Sequence, residues 1–158
     1  MICNSGNANT CNANGIEIAE GMSDLVAKAL NISATDVVVA STGVIGQSLS
    51  LEPIAAGMDA LAAGLSAQGS ADAAQGIMTT DTVKKEVAVE FTLGGKTCHM
   101  GGIAKGSGMI HPIMATMLVF LTTDAAIAPD MLQKALSGDI ANTLTWCPST
   151  VTPPPMTW

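Results

Sequence analysis

The 158-residue sequence predicts an α/β chain in which helices alternate with strands. Three observations carry that expectation. Residues 16–30 place Ala19, Met22, Val26 and Ala29 at helical spacing. Val87, Val89, Phe91 and Leu93 alternate with polar or small residues, which is the period of a strand. Apolar residues make up 48% of the chain and charged residues 12%, so there is enough material for a packed core and too little charge for a disordered chain.

The elements follow in order. Residues 4–12 are polar and rich in Asn, Ser and Gly, which favour turns. This loop is expected to arrive with no element before it. A helix is predicted over 16–30 and a short buried strand over 37–40. The Gly-bearing turn Thr42-Gly-Val-Ile-Gly46 comes next. A second helix is predicted over 52–65, with Pro53 in its first turn and Ile54, Met58, Leu61 and Leu65 on one face. A third, short helix covers 71–78. The strand through Val87–Leu93 turns at Gly94-Gly95, and its return strand spans 98–104. Residues 116–122 form another strand candidate. Residues 129–136 form a helix with Pro129 at its start and Gly138 just past its end.

Bulk properties exclude several functions. The net charge is −7, with six lysines and no arginine, so the basic footprint of a nucleic-acid binder is missing. No apolar stretch reaches membrane-spanning length, and the first residues lack the pattern of a secretion signal. Cys3, Cys11, Cys98 and Cys147 form no CxxC pair, which predicts reduced thiols and a cytoplasmic protein rather than zinc or disulfides. Gly95-Lys96-Thr97 lacks the upstream glycine of a phosphate loop, because position 90 is Glu. His99 has no spaced partner that would make it a metal ligand.

Two segments carry more chemistry. Gly101-Gly-Ile-Ala-Lys-Gly-Ser-Gly-Met-Ile110 sets Lys105 among glycines, where backbone can approach a ligand and the lysine supplies a cation. On its own it reads as a tight β-turn region. In His111-Pro-Ile-Met-Ala-Thr-Met-Leu118, Thr116 follows a small residue at the entry to an apolar strand. That position suits an internal nucleophile, although alone it is simply a strand start.

Taken together, five ordered motifs resemble the ornithine acetyltransferase family, also described as bifunctional glutamate N-acetyltransferase. They are Asn-Ser-Gly-Asn-Ala-Asn at 4–9, Ser-Thr-Gly-Val-Ile-Gly at 41–46, Met-Thr-Thr-Asp-Thr at 78–82, the glycine–lysine segment at 101–110 and Met-Ala-Thr-Met-Leu at 114–118. The resemblance implies helices packed against mixed β-sheet, as an incomplete version of the self-cleaving acetyltransferase fold. It also implies self-cleavage between Ala115 and Thr116. The α-amine freed at Thr116 can serve as general base to its own hydroxyl, as an amide nitrogen cannot. Thr116 would take acetyl from N-acetylornithine and pass it to glutamate. By the same resemblance Thr42, through its side chain, and Gly43, through its N–H, would stabilise the oxyanion. Thr79, Lys105 and Thr116 would bind substrate, with Lys105 facing a substrate carboxylate. No cofactor is implied, although two-function relatives use acetyl-CoA as donor. Relatives work as hetero-oligomers of two cleaved chains, so the remainder of the second chain is an implied partner; nucleic acid and membrane are not. The competing readings are a self-cleaving aminopeptidase-type hydrolase and a non-catalytic relic.

Ile113, Thr10 and Asn12 depart from the family pattern but remove none of these groups. The ends depart further. Residues 1–145 are expected to be a partial acetyltransferase domain with little or no activity of its own, and 146–158 an aberrant tail. The tail holds both tryptophans and four of the seven prolines and shows no periodicity. Codons can be chosen for Trp146–Trp158 that, read two bases on, give Val-Pro-Val-Asp-Gly-Asp-Thr-Ser-Thr-Asn-Asp-Met, which continues the family pattern after Thr145. A frameshift after Thr145 is therefore expected. Sequencing the encoding DNA should find this motif in a shifted frame; its absence from both shifted frames sinks the idea.

Overall fold

The computed structural model describes residues 1–107, 117–140 and 143, and divides into two units, Met1–Thr79 and Thr80–Trp158. The expected α/β architecture is present, with both parallel and antiparallel strand pairing. Ala115, Thr116 and the tail 146–158 lie outside the described residues.

The first unit opens with a strand where only a loop was expected. β1 (Ile2–Asn4) pairs in parallel with β2 (Val39–Ser41), in the register Ile2↔Val39, Cys3↔Ala40, Asn4↔Ser41. Three residues are too few to show a period, and only the partner strand makes β1 a strand. Between them runs helix α1 (Gly15–Leu30), followed by a 3-10 turn at Ala34–Asp36. α1 ends because Asn31 adopts left-handed backbone at φ 53°, and Ile32 N–H reaches back to Ala27 O at 3.1 Å. Glu17 in the first turn and Lys28 in the last each complement the helix dipole.

The buried row of α1 is Ile18, Met22 and Val26. Ala19 and Ala29, expected in that row, are half-buried and exposed respectively. The reason is area: a row four residues apart that includes Ile18 removes more apolar surface from water than one built on alanines. Met22, at 0% exposure, is the centre of a core completed by Ile2, Leu49 and Met58.

α2 (Glu52–Ala63) adds Met58 and the flanking Ile54 to this core. The helix stops short of Leu65, and Leu61 and Leu65 stay exposed rather than on the packed face. α3 (Ser70–Gly76) is shorter than expected and buries Ala74.

The second unit is built on an antiparallel sheet in the order β3-β4-β5. Its strands are β3 (Lys85–Leu93), β4 (Lys96–Lys105) and β5 (Leu118–Thr123). Gly94 and Gly95, with φ of 58° and 78°, make the expected two-residue turn. Lys96 stands exposed beside it. The register sets Val87 opposite Gly102 and Gly102 opposite Leu121, and Val89 opposite Met100. One face of the sheet is therefore apolar, and Val87, Val89, Leu93 and Leu121 on it are all exposed.

α4 (Pro129–Ile140) runs through Gly138, which sits inside the helix instead of capping it. A helical glycine costs about 1 kcal/mol relative to alanine, a loss the helix tolerates when no other stop signal intervenes.

His99 ties the sheet's end together. Asp124, just past β5, accepts the backbone N–H of His99 at 2.7 Å and its ring Nδ1–H at 2.8 Å. Thr123 Oγ1 donates to His99 O at 2.8 Å, and Glu90 on β3 lies 3.5 Å from His99 Nε2. The backbone N–H of His99, and then its ring, hold the Asp124 carboxyl below the ordinary aspartate value of 3.8.

Met22→Ala should cost about 2–5 kcal/mol in urea unfolding of the first unit, because the cavity has no side chain to fill it. The Asp124 contribution runs with the sign of a depressed carboxylate. It is fully present above the ordinary aspartate range and lost as pH falls through the lowered value. Acid melts from about pH 4 to about pH 2 should therefore lower the midpoint of the parent more than that of Asp124→Asn. Equal acid slopes would show that the His99 contacts add nothing.

Candidate functional site

The candidate residues are distributed as follows. Thr42 and Gly43 lie together in the first unit, directly after β2, and Thr79 is that unit's last residue. Lys105 ends β4 in the second unit. Ala115 and Thr116 fall outside the described residues.

The turn after β2 is held by the polar loop at 4–12. Thr42 N–H donates to Asn4 O at 2.8 Å, Val44 N–H to Gly6 O at 3.0 Å, and Ala8 N–H to Val44 O at 2.9 Å. The pairing that begins in the strands thus continues along the loop. The loop is braced from within by Asn4, whose carboxamide accepts Gly6 N–H at 2.9 Å and donates to Asn7 O at 2.8 Å. Asn12 likewise donates to Ala8 O at 2.9 Å, and Ser5 Oγ to Gly76 O at 2.7 Å. The Asn-rich composition therefore serves as a set of short backbone props.

Gly43 sits where the two segments touch. Its φ is +118°, and a Cβ there would stand 2.2 Å from Gly6 O and 2.9 Å from Ser5 O. Only a residue without a side chain permits both the backbone conformation and the contact. Thr42 is buried at 8% exposure, and the Oγ of its neighbour Ser41 is buried with no hydrogen-bond partner among the described residues. The N–H groups on either side of Gly43 are spent on the loop. Among the described residues no acceptor is paired with the N–H of Gly43 itself. Chemically, this is a rigid turn that presents an uncommitted backbone donor beside a hydroxyl.

The second unit holds a buried charge cluster. The side chain of Asp81 is fully buried and its Oδ1 accepts two donors, the ammonium of Lys85 at 2.6 Å and Gly106 N–H at 2.8 Å. Gly106 directly follows Lys105 and has a φ of +150°. Close by, Thr80 and Ser107 share a hydroxyl–hydroxyl bond of 2.7 Å. Lys105 itself is 5% exposed. Among the described residues it forms no ion pair with a carboxylate, unlike Lys84 and Lys85. A buried ammonium in this state calls for an anion. The sequence expectation of a tight turn at Lys105 thus gives way to the end of a strand.

Asp81 is the residue that sequence reasoning missed. It lies inside the Met-Thr-Thr-Asp-Thr motif two residues after Thr79, and an acidic residue four before a lysine was the available signal. A groove of about 500 Å³ in the first unit is lined by Asn9, Asn12, Ile16, Glu20 and Val39 among others, and by none of the candidate residues. Among the described residues no cluster suits a metal ion, and no helix is long and apolar enough to cross a membrane.

Comparison with known proteins fits these features. Residues 1–146 match the ArgJ family. The arginine biosynthesis bifunctional protein ArgJ of Chlorobium chlorochromatii is 53% identical over 138 residues, which are 87% of this chain and 32% of that protein. Its namesake in Chlorobaculum tepidum is 49% identical over 87% of this chain and 34% of its own length. The crystal structure of arginine biosynthesis bifunctional protein argJ from Bacillus halodurans superposes with a TM-score of 0.64 at 41% identity, covering 73% of this chain and 61% of that one. The chain spans about a third of the length of the curated relatives it matches. On its motifs, its fold and these relatives, the chain belongs to the ArgJ family, the ornithine acetyltransferase family that its ordered motifs resemble.

Proposed function

We propose that this chain carries part of a glutamate N-acetyltransferase of arginine biosynthesis, which moves acetyl from N-acetylornithine to glutamate through an acetyl-threonine. The observation that carries the reading is Lys105: a buried ammonium with no carboxylate paired to it among the described residues, in a chain of this family. Both substrates bring a carboxylate that would satisfy it.

The steps follow from the groups. Thr116 Oγ attacks the carbonyl of Ala115 and the C–N bond breaks, which frees the amine of Thr116 and leaves an ester; water then opens the ester to give the Ala115 carboxylate and the free Thr116 hydroxyl. That amine then takes the proton of its own hydroxyl as the hydroxyl attacks the acetyl carbonyl of N-acetylornithine. Negative charge develops on the carbonyl oxygen, and the N–H of Gly43 with the hydroxyl of Thr42 would donate to it. Ornithine leaves with a proton, and the amine of glutamate attacks the acetyl ester to regenerate the threonine. Thr79 and Lys105 hold the amino-acid portion, and acetyl-CoA is an alternative donor. A preorganised donor in such a site supports about 10²–10³-fold of rate, and the fixed turn at Gly43 supplies the rigidity this needs.

Because the chain spans about a third of its relatives, steady turnover is the wrong readout and single events are the right ones. Mass spectrometry of the purified chain should find pieces divided between Ala115 and Thr116, and Thr116→Ala should stay whole. Incubation with N-acetylornithine should leave acetyl on the piece that starts at Thr116, and added glutamate should discharge it. Cleavage followed by no acetyl capture would favour the hydrolase; a folded chain that neither cleaves nor captures would overturn the reading.

A further inference from the structure

We propose that Asp81 is the positioning residue for Lys105, a role that rests on the reading of Lys105 as the substrate-carboxylate site. Its carboxylate is placed to do two things at once. By accepting Gly106 N–H at 2.8 Å it fixes the backbone immediately after Lys105. By taking the Lys85 ammonium at 2.6 Å it is neutralised within its own pocket.

The second contact matters for the first. A carboxylate with a fully buried side chain, held against the backbone next to Lys105, is a natural counter-ion for that lysine. If Asp81 were not already paired, Lys105 would be drawn to it and the site would lose its cation. Lys85, on β3, prevents this by occupying the same Oδ1. Among the described residues the cluster therefore keeps one positive charge in surplus: Asp81 and Lys85 cancel, and Lys105 forms no ion pair. Gly106 completes the arrangement, because its φ of +150° turns its N–H onto Asp81 at a position where a side chain would strain the backbone. Asp81 touches neither substrate nor nucleophile in this scheme. It acts through Lys105, by holding the strand end and by accepting a different lysine.

Trace acetylation of the full chain with acetic anhydride tests this, with Lys105 labelling measured by mass spectrometry against exposed Lys134 on α4. Asp81→Ala should raise Lys105 labelling about tenfold relative to Lys134, since a loosened strand end exposes the amine. Asp81→Asn keeps an oxygen that accepts Gly106 N–H and should stay within about twofold of the parent, a rescue expected of positioning through that bond. Lys85→Met should lower Lys105 labelling and weaken its protection by glutamate about tenfold, because the carboxylate released from Lys85 then competes for Lys105. An unchanged ratio in Asp81→Ala, or an Asn variant that behaves like the Ala variant, overturns the proposal. If Asp81→Ala loses its folded spectrum, the other two variants decide: protection kept by Asn and lost by Met supports the proposal, and the reverse overturns it. Failure of the underlying reading looks different. It shows as a parent chain whose Lys105 glutamate never protects, while the labelling ratio still responds to Asp81.

Discussion

The first unit depends on one backbone-to-backbone contact, the crossing of Gly43 over Ser5 and Gly6. A Cβ at residue 43 would fall 2.2 Å from Gly6 O, well inside any tolerable separation. Because the contact is that close, the hydrogen bonds from Thr42 and Val44 can continue the β1–β2 pairing past the end of the strands. Those bonds fix the loop at 4–12, and α1 begins at Gly15, soon after it. The core under Met22 uses Ile2 from one side of the crossing and Leu49 from the other. Burial supplies most of the favourable free energy here, but the crossing decides which surfaces meet. The same contact shapes the turn, since it leaves the Gly43 N–H as the donor the loop does not consume.

The second unit is organised around a charge rather than a close approach. The Asp81 side chain is fully buried, and it accepts donors from different parts of the chain, the Lys85 ammonium and Gly106 N–H among them. A buried carboxylate is costly unless satisfied, and removing the Lys85 ammonium takes away a positive charge beside it. That asymmetry makes the cluster a poor source of net stability and a strong source of geometry. The exposed cluster at His99 differs. Its side chains stand in water, so its Coulomb attraction is screened and its value lies in joining β4 to the end of β5.

Elements with a period of their own were legible from sequence. The α1 and α4 helices, the β3–β4 hairpin and its turn all fall close to where spacing puts them. β1 was not legible, since three residues carry no period and the strand exists only through a partner 37 residues on. The packed faces of α1 and α2 were legible only in part. Spacing alone gives several candidate rows, and the neighbouring element chooses among them; for α2 that neighbour meets Ile54 and Met58 and leaves Leu61 out. Ordered motifs pointed to Thr42 and Gly43 in the first unit and to Lys105 in the second, and the buried settings of Thr42 and Lys105 were not legible from the motifs. Asp81 stayed hidden because its meaning is tertiary: nothing in a linear reading ties an aspartate to an amide 25 residues away.

The two sheets also differ in the order in which they can assemble. β3, β4 and β5 are antiparallel neighbours, and the β3–β4 turn needs only two residues, so that hairpin closes almost as soon as it exists. β1 is made before β2, so its pairing with Val39–Ser41 waits until that strand has been made, and closing so long a loop must precede any gain from pairing. During synthesis the asparagine-braced segment is therefore a strand in waiting. Its internal side-chain props, formed between residues four or fewer apart, can hold the loop's shape before the sheet arrives to receive it.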